Sequence, residues 1–412
     1  MKVLVLSPWF PSPPFGGALI RVYQTLRYLS RRHQLTLLAP ISRVPSAEHL
    51  AVLTDLCERV IPVPVSDRPA AVLRRMASGL ARGLPLIQGV HRDRRIAGQL
   101  RALTSAHDYD IVHVEHSFMA PYLASISPQS GARTVLSMHN VESLRFRREL
   151  QTARGARRLA LLTDSVLFDS WEERAVRRFD GIATVSALEE AWARVRAPST
   201  PIAVVPNGVD TDYFVPTATA PASRALVFAA LMNYPPNIDA AVWFCDAVLP
   251  LIIARHPDVR FRIVGDKPTP QVLALARRPG VEVTGRVPDV RPHMAEAPVV
   301  VVPLRSGAGT RLKILEAMAM GRPVVSTRLG AEGLQVTDGV HLLLGDTPAA
   351  LAAHVSAVLE RPDLGAALSN AGRRLTTETY DWRSCLTSLD ELFDRVTHAS
   401  ARSRPPAGGI AS

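Results

Sequence analysis

The sequence is poor in cysteine and in lysine. Its three cysteines lie far apart and lack the spacing of metal ligands, which favours a reducing, cytoplasmic compartment. Only three of the 48 basic side chains are lysines, and they are Lys2, Lys267 and Lys313. Because arginine supplies the positive charge elsewhere, a lysine in a loop indicates a position where a compact ammonium group is needed.

Long apolar runs are missing as well. The longest, such as residues 297–304, are far shorter than the ~20 residues that cross a bilayer. The N-terminus contains one lysine and a short apolar run that ends at Pro8, which predicts a first β-strand rather than a signal peptide. The net charge of +11 indicates an anionic partner, which could be a nucleic acid, a membrane surface or an anionic substrate.

Strand and helix patterns alternate along both halves of the 412-residue chain. A chain of this length is too long for one core, so we expect an α/β protein with two doubly wound domains. Residues 201–224, with several prolines and small side chains, predict the linker between them. We therefore place the first domain in residues 1–200, the second in 225–378, a last helix in 379–398 and a disordered tail in 399–412.

The most informative stretch is residues 303–333, where a buried strand leads through a glycine-containing turn into a helix. The N–H groups at a helix N-terminus lack partners and the helix dipole adds positive charge there, so the turn predicts a phosphate site. Arg311 and Lys313 add two cations, and Glu316 could accept hydrogen bonds from sugar or ribose hydroxyls. The alternative is an ordinary αβ unit whose glycines only make tight turns.

Polar side chains also follow strands in the N-terminal half. Gly16 and Gly17 separate the first strand from a helix, and this arrangement suits an anion or a closely packed substrate, unless it is a simple βα turn. Strand 110–116 ends at Glu115 and His116, and strand 134–138 is followed by His139 and Asn140. Ligands of open α/β sheets bind beyond such strand ends, although a lone histidine can be purely structural.

Residues 68–101 contain eight arginines and one acid, interleaved with apolar residues. Basic amphipathic helices of this kind lie on anionic membranes or bind acidic partners, and the alternative is a solvated helix pair. No stacking aromatic residues are interleaved with these arginines, which argues against nucleic acid. Residues 145–158 add six arginines in a second segment that could meet an acidic acceptor or simply be solvated.

The stretch 303–333 resembles the nucleotide-sugar signature of the retaining, group 1 (family 4-like) glycosyltransferases with the GT-B fold. Glu316 matches the second glutamate of the family's E-x7-E motif, which binds the donor ribose. The first glutamate would fall at Ala308, so contacts with the sugar must come from backbone N–H groups of the turn, which comprises Gly307, Ala308, Gly309 and Thr310. Arg311 and Lys313 are then the candidates for holding the diphosphate, since the family's usual cations after the first strand of the second domain are replaced here.

The resemblance also assigns roles elsewhere. Residues 205–210 match the interdomain turn, where Asn207 and Gly208 are expected to supply positive φ. His139 would contact the transferred sugar, with Asn140 beside it, and Glu115 or His116 would face the acceptor. Positions expected near donor or acceptor phosphates or the nucleotide are Gly16, Gly17, Gly265, Lys267 and Arg286. The implied fold is two facing Rossmann-like domains, acceptor side first and nucleotide-sugar side second, with a C-terminal helix crossing back to the first.

The implied activity is transfer of a hexose-type sugar from a nucleotide-diphosphate sugar to a polysaccharide, lipid-linked or small-molecule glycan acceptor, with retention and without a metal or other cofactor. The expected location is the cytoplasm, peripherally at the inner face of the membrane if residues 68–101 bind anionic lipid. Two alternatives stay open. One is a nucleotide-sugar epimerase, and the other is a non-catalytic protein that binds nucleotide sugars, which the loss of the first motif glutamate at Ala308 would favour.

Overall fold

The computed structural model describes residues 1–14, 16–150, 155–217, 224–307 and 312–401. These residues form two compact units. Unit 1 comprises Met1–Pro206 together with the described residues from Leu386 onward, and unit 2 comprises Asn207–Cys385. The division between Pro206 and Asn207 falls inside the segment where the linker was predicted.

Unit 1 is built on a seven-stranded, fully parallel sheet in the order β3-β2-β1-β4-β5-β6-β7. Its strands are β1 Lys2–Leu6, β2 Gln34–Ile41, β3 Arg59–Pro64, β4 Ile111–Glu115, β5 Arg133–Ser137, β6 Gly181–Thr184 and β7 Ile202–Val204. The central strands are short apolar runs that are buried on both faces, as parallel strands covered by helices must be.

The helices of unit 1 cover the two faces of this sheet. They are α1 Gly17–Leu29, α2 Ala47–Thr54, α3 Pro69–Leu80, α4 Leu86–His91, α5 Arg94–Ala106, α6 Glu142–Leu150, α7 Gly155–Val176 and α8 Ala187–Arg196, with a 3-10 helix at Ser117–Ser125. The arginine-rich residues 68–101 thus form parts of three helices, not the helix pair that was one prediction, because Pro85 and Asp93 each begin a new helix.

Unit 2 has a six-stranded parallel sheet in the order β10-β9-β8-β11-β12-β13. Its strands are β8 Ala225–Ala229, β9 Arg260–Val264, β10 Val281–Gly285, β11 Val300–Val302, β12 Val324–Ser326 and β13 Leu343–Leu344. Its helices are α9 Pro235–Trp243, α10 Leu249–Ile253, α11 Pro270–Ala274, α12 Arg291–Ala295, α13 Leu312–Ala319, α14 Pro348–Glu360 and α15 Pro362–Thr379, with a π-helical segment at Phe244–Val248 and 3-10 turns at Leu275–Arg277 and Leu329–Ala331. The prediction of an α/β fold with two parallel-sheet domains is confirmed.

One continuous helical stretch, Pro235–Ile253, is long and apolar enough to cross a membrane by length and composition. Its apolar residues are interrupted by polar ones, so no single apolar run in the sequence predicts it. Half of this stretch is buried in the protein, and Phe244, Val248 and Ile252 belong to the core of unit 2. A core helix of a soluble protein passes the same test, so the stretch is weak evidence for a membrane span.

The last helix, α16 Trp382–Ala401, runs past its predicted end at His398, and the remainder of the predicted tail, 402–412, lies outside the described residues. From Leu386 onward α16 packs within unit 1. Phe393 contacts the ring of His113 edge-on at 5.5 Å, and Asp390 accepts hydrogen bonds from Arg32 and, at 2.5 Å, from His33. The helix therefore completes one face of the first sheet.

The prediction that Asn207 and Gly208 supply positive φ is wrong, since neither residue has it. Glycine is needed at position 208 for a different reason. A Cβ there would lie 2.8 Å from the carbonyl oxygen of Tyr380 and 3.0 Å from Trp382, which is closer than real side chains approach. Val209 then pairs with Tyr380 through a backbone hydrogen bond of 2.7 Å. The turn is thus fixed by close packing against the segment before α16.

Each sheet has one point where the strand order reverses direction. In unit 1 it lies between β1 and β4, and in unit 2 it lies between β8 and β11. The loops that leave neighbouring strands at such a point diverge and open a crevice beyond the carboxyl ends, where open α/β sheets bind ligands. The fold therefore directs attention to the loops after β1 and β4 in unit 1, and after β8 and β11 in unit 2.

Candidate functional site

A buried group of two histidines and one carboxylate lies at the carboxyl ends of β4 and β5 in unit 1. His113 and Glu115 are two residues apart on β4 and therefore share one face of the sheet. Glu115 is in register with Ser137 of β5, which places His139, two residues further, on the same face. Nε2 of His139 is 2.7 Å from one oxygen of Glu115, and Nε2 of His113 is 3.1 Å from the other.

The surroundings of this group set its protonation. Burial alone would raise the pKa of Glu115, but its interactions with His113 and His139, which include a hydrogen bond from each imidazole, outweigh burial and hold that pKa well below the usual value. Burial lowers the pKa of His139, and the hydrogen bond that its Nε2–H donates to Glu115 offsets only part of that effect. At neutral pH the group is therefore an ionised Glu115 beside a neutral His139.

His116 follows β4 in a backbone conformation that is rare for residues with a side chain, with φ of 75°. Strain of this kind costs roughly 1–3 kcal/mol and tends to collect at functional sites. The imidazole is buried, stacks on Phe118 at 3.9 Å and meets the edge of Trp9, from the loop after β1, at 5.6 Å. Its Nδ1 accepts from the N–H of Phe118, and its Nε2 lies 3.4 Å from Glu142.

A second buried carboxylate occupies the N-terminus of α6, directly after the His139 loop. Glu172, from α7, accepts the backbone N–H groups of Glu142 and Ser143 at 3.0 and 3.1 Å and the Ser143 hydroxyl at 2.9 Å. Burial, together with the nearby charge of Glu142, raises the pKa of Glu172 to about 8. Glu142 in turn accepts a hydrogen bond from Asn140 at 3.3 Å, so the loop 139–143 is held at both ends.

The predicted glycine pair precedes α1 in unit 1. Gly16 has φ of 85° and precedes the first helical residue, Gly17, and both glycines are exposed. One turn into the helix, Arg21 is almost fully buried and its guanidinium donates to the carbonyl of Val205 at 3.0 Å. Its positive charge contributes to lowering the pKa of His139. The start of α1 thus adds a cation near the histidine group.

In unit 2, the loops after β8 and β11 meet through a lysine and an asparagine. Nζ of Lys313, in the first turn of α13, donates to Oδ1 of Asn237 at 3.0 Å and lies 5.4 Å from the ring centre of Phe228. Asn237 is buried, and its Nδ2 donates to the carbonyl of Leu231 at 2.9 Å. One buried amide therefore fixes both the loop after β8 and the position of the ammonium group.

Glu316 lies one turn beyond Lys313 on the same helix and is half-buried. Burial raises the pKa of Glu316 to about 7, although the positive charge of Lys313 counters part of that shift. No hydrogen bond to its carboxylate is found within the described part of the chain. A carboxyl group in this state has acceptor capacity left for a ligand hydroxyl.

The remaining predicted residues of unit 2 lie around the ends of β9, β10 and β11. Gly265, after β9, packs so closely on the loop after β8 that a Cβ there would lie 1.7 Å from the carbonyl oxygen of Ala230. Lys267 and Arg286 are exposed, whereas Asn207 and Gly307 are buried. The other predicted residues of the turn, Ala308, Gly309, Thr310 and Arg311, lie outside the described residues.

The structure thus brings Glu115, His116, His139 and Asn140 together in unit 1, and Lys313 and Glu316 together in unit 2. Partners that were not among the predicted site residues include His113, Glu142 and Asn237. His113 could have been found, because alternation along a strand puts residue 113, and not 116, on the face of Glu115. Asn237 carried no such signal, since its partner Lys313 is 76 residues away.

Over the described ranges of the chain, no group of three or more His, Cys, Asp or Glu residues is arranged to hold a metal ion.

Comparison with known proteins gives two family matches. Residues 15–213 match the model described as Glycosyltransferase Family 4, and residues 223–361 match the model described as Glycosyl transferases group 1. The phosphatidyl-myo-inositol mannosyltransferase of Mycobacterium tuberculosis (strain H37Rv) is 25% identical over 98% of this chain and 99% of its own length.

Solved structures agree in fold. Sucrose-phosphate synthase from Thermosynechococcus elongatus superposes with a TM-score of 0.71 and 16% identity, over 97% of this chain and 100% of that chain. HepE of Anabaena, in complex with UDP and glucose, has a TM-score of 0.64 and 16% identity, over 96% and 99%. With the family matches and the two parallel sheets, these likenesses confirm the resemblance seen in the sequence: the chain belongs to the group 1 glycosyltransferases of the GT-B fold.

Proposed function

We propose that this glycosyltransferase moves a hexose from a nucleotide-diphosphate sugar to a glycan or lipid-linked acceptor, with retention of configuration and with its own side chains, rather than a metal ion, stabilising the leaving diphosphate. The observation that carries the proposal is the fixed ammonium group of Lys313, held by Asn237 at the point where the strand order of unit 2 reverses. The complex of HepE with UDP and glucose supports a nucleotide-sugar donor.

In this reaction the acceptor oxygen forms a bond to the anomeric carbon while the bond from that carbon to the diphosphate oxygen breaks. The acceptor proton passes to the departing diphosphate. Negative charge grows on the leaving group, and a preorganised ammonium group stabilises it in the transition state more than in the ground state. Arg311, outside the described residues, is the second proposed cation, and the backbone N–H groups of Gly307 to Thr310 are proposed to assist.

Glu316 is proposed to bind the donor ribose, because its carboxyl group has free acceptor capacity one turn from Lys313. His139 is proposed to contact the transferred sugar, and Asn140 and His116 line the same loop region. Six further residues are proposed to lie near donor or acceptor groups, and they are Gly16, Gly17, Asn207, Gly265, Lys267 and Arg286. Epimerase activity and non-catalytic binding stay as outcomes that the assays below would reveal.

The first test is thermal stabilisation by UDP, GDP, ADP, dTDP and their sugars. We expect one nucleotide to raise the melting temperature of the wild type and Glu316→Ala to lose that response. Glu378→Ala, an exposed glutamate of α15, is the matched control and should keep it. No stabilisation of the wild type by any nucleotide would contradict the proposal, and conversion of a UDP-sugar to its epimer without acceptor would indicate the epimerase.

The acceptor is proposed to be presented at an anionic membrane surface. Exposed arginines lie on α3 and α5 and beside α4, where they are Arg68, Arg74, Arg82, Arg92, Arg94, Arg95 and Arg101, and Leu73 and Leu80 of α3 are exposed as well. A relative named as a phosphatidyl-myo-inositol mannosyltransferase supports a lipid-linked acceptor. Flotation with anionic liposomes at low salt tests the idea, and protein that stays at the bottom of the gradient would contradict it.

A further inference from the structure

Glu115 is surrounded so completely that it has no surface left for a substrate. It is fully buried, and its two carboxylate oxygens are each taken by one imidazole, from His113 and from His139. A group in this position cannot face an acceptor directly. It can, however, decide which nitrogen of its neighbours carries a proton.

From this geometry we infer that His113 and Glu115 are positioning residues that fix His139 as the tautomer protonated on Nε2, so that Nδ1 of His139 accepts a hydrogen bond from a hydroxyl group of the donor sugar. The inference deepens the proposed function and rests on it for the identity of the hydroxyl donor. It restricts the substrate to sugars that carry a hydroxyl group at the contacted position.

The two hydrogen bonds to Glu115 have a fixed direction. An ionised carboxylate can only accept, so each imidazole must donate its Nε2–H to Glu115. His113 agrees with this direction, because its Nδ1 is buried without a partner among the described residues. A proton on that nitrogen would be a buried donor with nothing to donate to, whereas a bare nitrogen there costs less.

The other nitrogen of the His139 ring, Nδ1, is left to accept a hydrogen bond. A neutral imidazole carries one proton, and Glu115 already holds it on Nε2, so Nδ1 presents a lone pair. No hydrogen bond to this Nδ1 is found in the part of the chain that the structure describes. Other charged or titratable groups near the ring are Arg21, Glu142 and His116, of which Arg21 disfavours a second proton.

Two histidines, and not one, hold the carboxylate of Glu115 in place. A carboxylate bonded on one side only could rotate and release His139. His113 removes that freedom, because it is fully buried and its ring packs edge-on against Phe393 of α16 at 5.5 Å. The direction of the His139 ring is therefore set by a chain of contacts that runs back into the core of unit 1.

The test compares Glu115→Gln with a matched control in the same unit. Asp390→Asn also removes a buried carboxylate that accepts from Nε2 of a buried histidine, His33, but it lies on α16 at the amino-terminal edge of the sheet. Both variants lose one buried charge, and only one of them touches His139. A merely structural role for Glu115 predicts the same behaviour for the two.

The readout is 15N NMR of histidine-labelled full-length protein, with the His139 signals assigned by comparison with His139→Gln. We expect a bare Nδ1 for His139 in the wild type and in Asp390→Asn, and a changed proton position in Glu115→Gln. A proton on Nδ1 in the wild type, or the same spectrum in Glu115→Gln, would overturn the inference whatever the activity.

A kinetic arm tests the sugar contact. Glu115→Gln should lower kcat by roughly 10²-fold, since a wrong tautomer removes an oriented contact without changing nucleotide binding. It should also lose most of the wild-type preference for the hydroxylated donor over the matching deoxy donor. If the wild type and Glu115→Gln prefer the hydroxylated donor equally, the contact between His139 and the sugar is refuted. If the wild type binds no nucleotide, the proposed function is refuted, and the NMR result alone then tests the tautomer of His139.

Discussion

The two units present their polar residues in opposite ways. In unit 1, Glu115, His139, Glu142 and Glu172 are buried, and each is bonded to other side chains or to backbone N–H groups of the same loops. In unit 2, the predicted site has one lysine fixed by one amide, and a half-buried carboxyl group whose pKa is raised to about 7. The carboxylates of unit 1 are thus enclosed by donors of the protein itself, whereas the described residues of unit 2 leave acceptor capacity on Glu316.

This difference between enclosed and open polar groups indicates what each unit can contribute to sugar transfer. A network whose carboxylates are filled by donors inside the protein orients groups and resists rearrangement when a substrate arrives. A site with spare electrostatic capacity instead gains interactions when a charged ligand enters. In the proposed reaction, unit 1 would therefore orient reacting groups and unit 2 would stabilise the leaving group.

The largest expected effect comes from removing the fixed cation of unit 2. Lys313→Ala should lower turnover by roughly 10²-fold or more, because one charge-stabilising donor is lost from the transition state. Steady-state kinetics with donor and acceptor would measure it. Lys2→Ala removes one of the two other lysines, at an exposed position of β1, and should leave turnover unchanged. Unchanged turnover in Lys313→Ala would contradict the proposal that unit 2 stabilises the leaving group through this ammonium group.

The next largest effect is a loss of stability when the hydrogen bonds to Glu115 in unit 1 are weakened. The folded pKa of Glu115 is depressed, so its stabilisation is present above the unfolded value and is lost as the pH falls through the folded pKa. At pH 7, Glu115→Gln should therefore lower the free energy of unfolding by about 2–3 kcal/mol, as expected for losing hydrogen bonds to a charged group. Urea denaturation measures this, and equal stability of the two proteins would show that the network is not stabilising.

The contribution of Glu316 to stability should change with pH in the opposite direction to that of Glu115. Its folded pKa is raised from 4.5 to about 7, so the stabilisation is fully present below pH 4.5 and is lost as the pH rises through 7. Glu316→Gln cannot ionise, and it should be more stable than the wild type by about 2 kcal/mol at pH 8 but not at pH 4. Melting temperatures across this range would check it. A variant that is less stable at pH 8 would contradict the unused acceptor capacity of unit 2.

The smallest expected effect comes from the amide that holds the lysine. Asn237→Ala should reduce kcat/KM by about tenfold, the cost of one misplaced contact to a reacting group that is still present. Because the ammonium group remains, the double variant Asn237→Ala with Lys313→Ala should be little worse than Lys313→Ala alone. Additive losses in this double-mutant cycle would mean that Asn237 acts independently of Lys313.

Local pattern was enough to predict both sheets, because apolar runs of parallel strands alternate with amphipathic helices and leave few other topologies. The same pattern made Glu115, His139 and Lys313 candidate site residues, because they are polar residues at strand or helix ends. It could not show that Glu115 is enclosed by His113 and His139, since that depends on the register between β4 and β5. Gly208 makes the same point: the dipeptide suggested a turn conformation, but contact with Tyr380, far along the chain, decides the residue.

The passage of α16 from one unit to the other makes unit 1 a discontinuous domain. A fragment that ended at Pro206 would lack Asp390, Phe393 and Val396, and it would leave His33 and His113 without the contacts that α16 provides. Neither unit can be exchanged with a relative by a single crossover in the gene, because a one-point swap would pair a sheet with a foreign last helix. Recombination that respects this architecture must carry the C-terminal segment along with the first half of the chain.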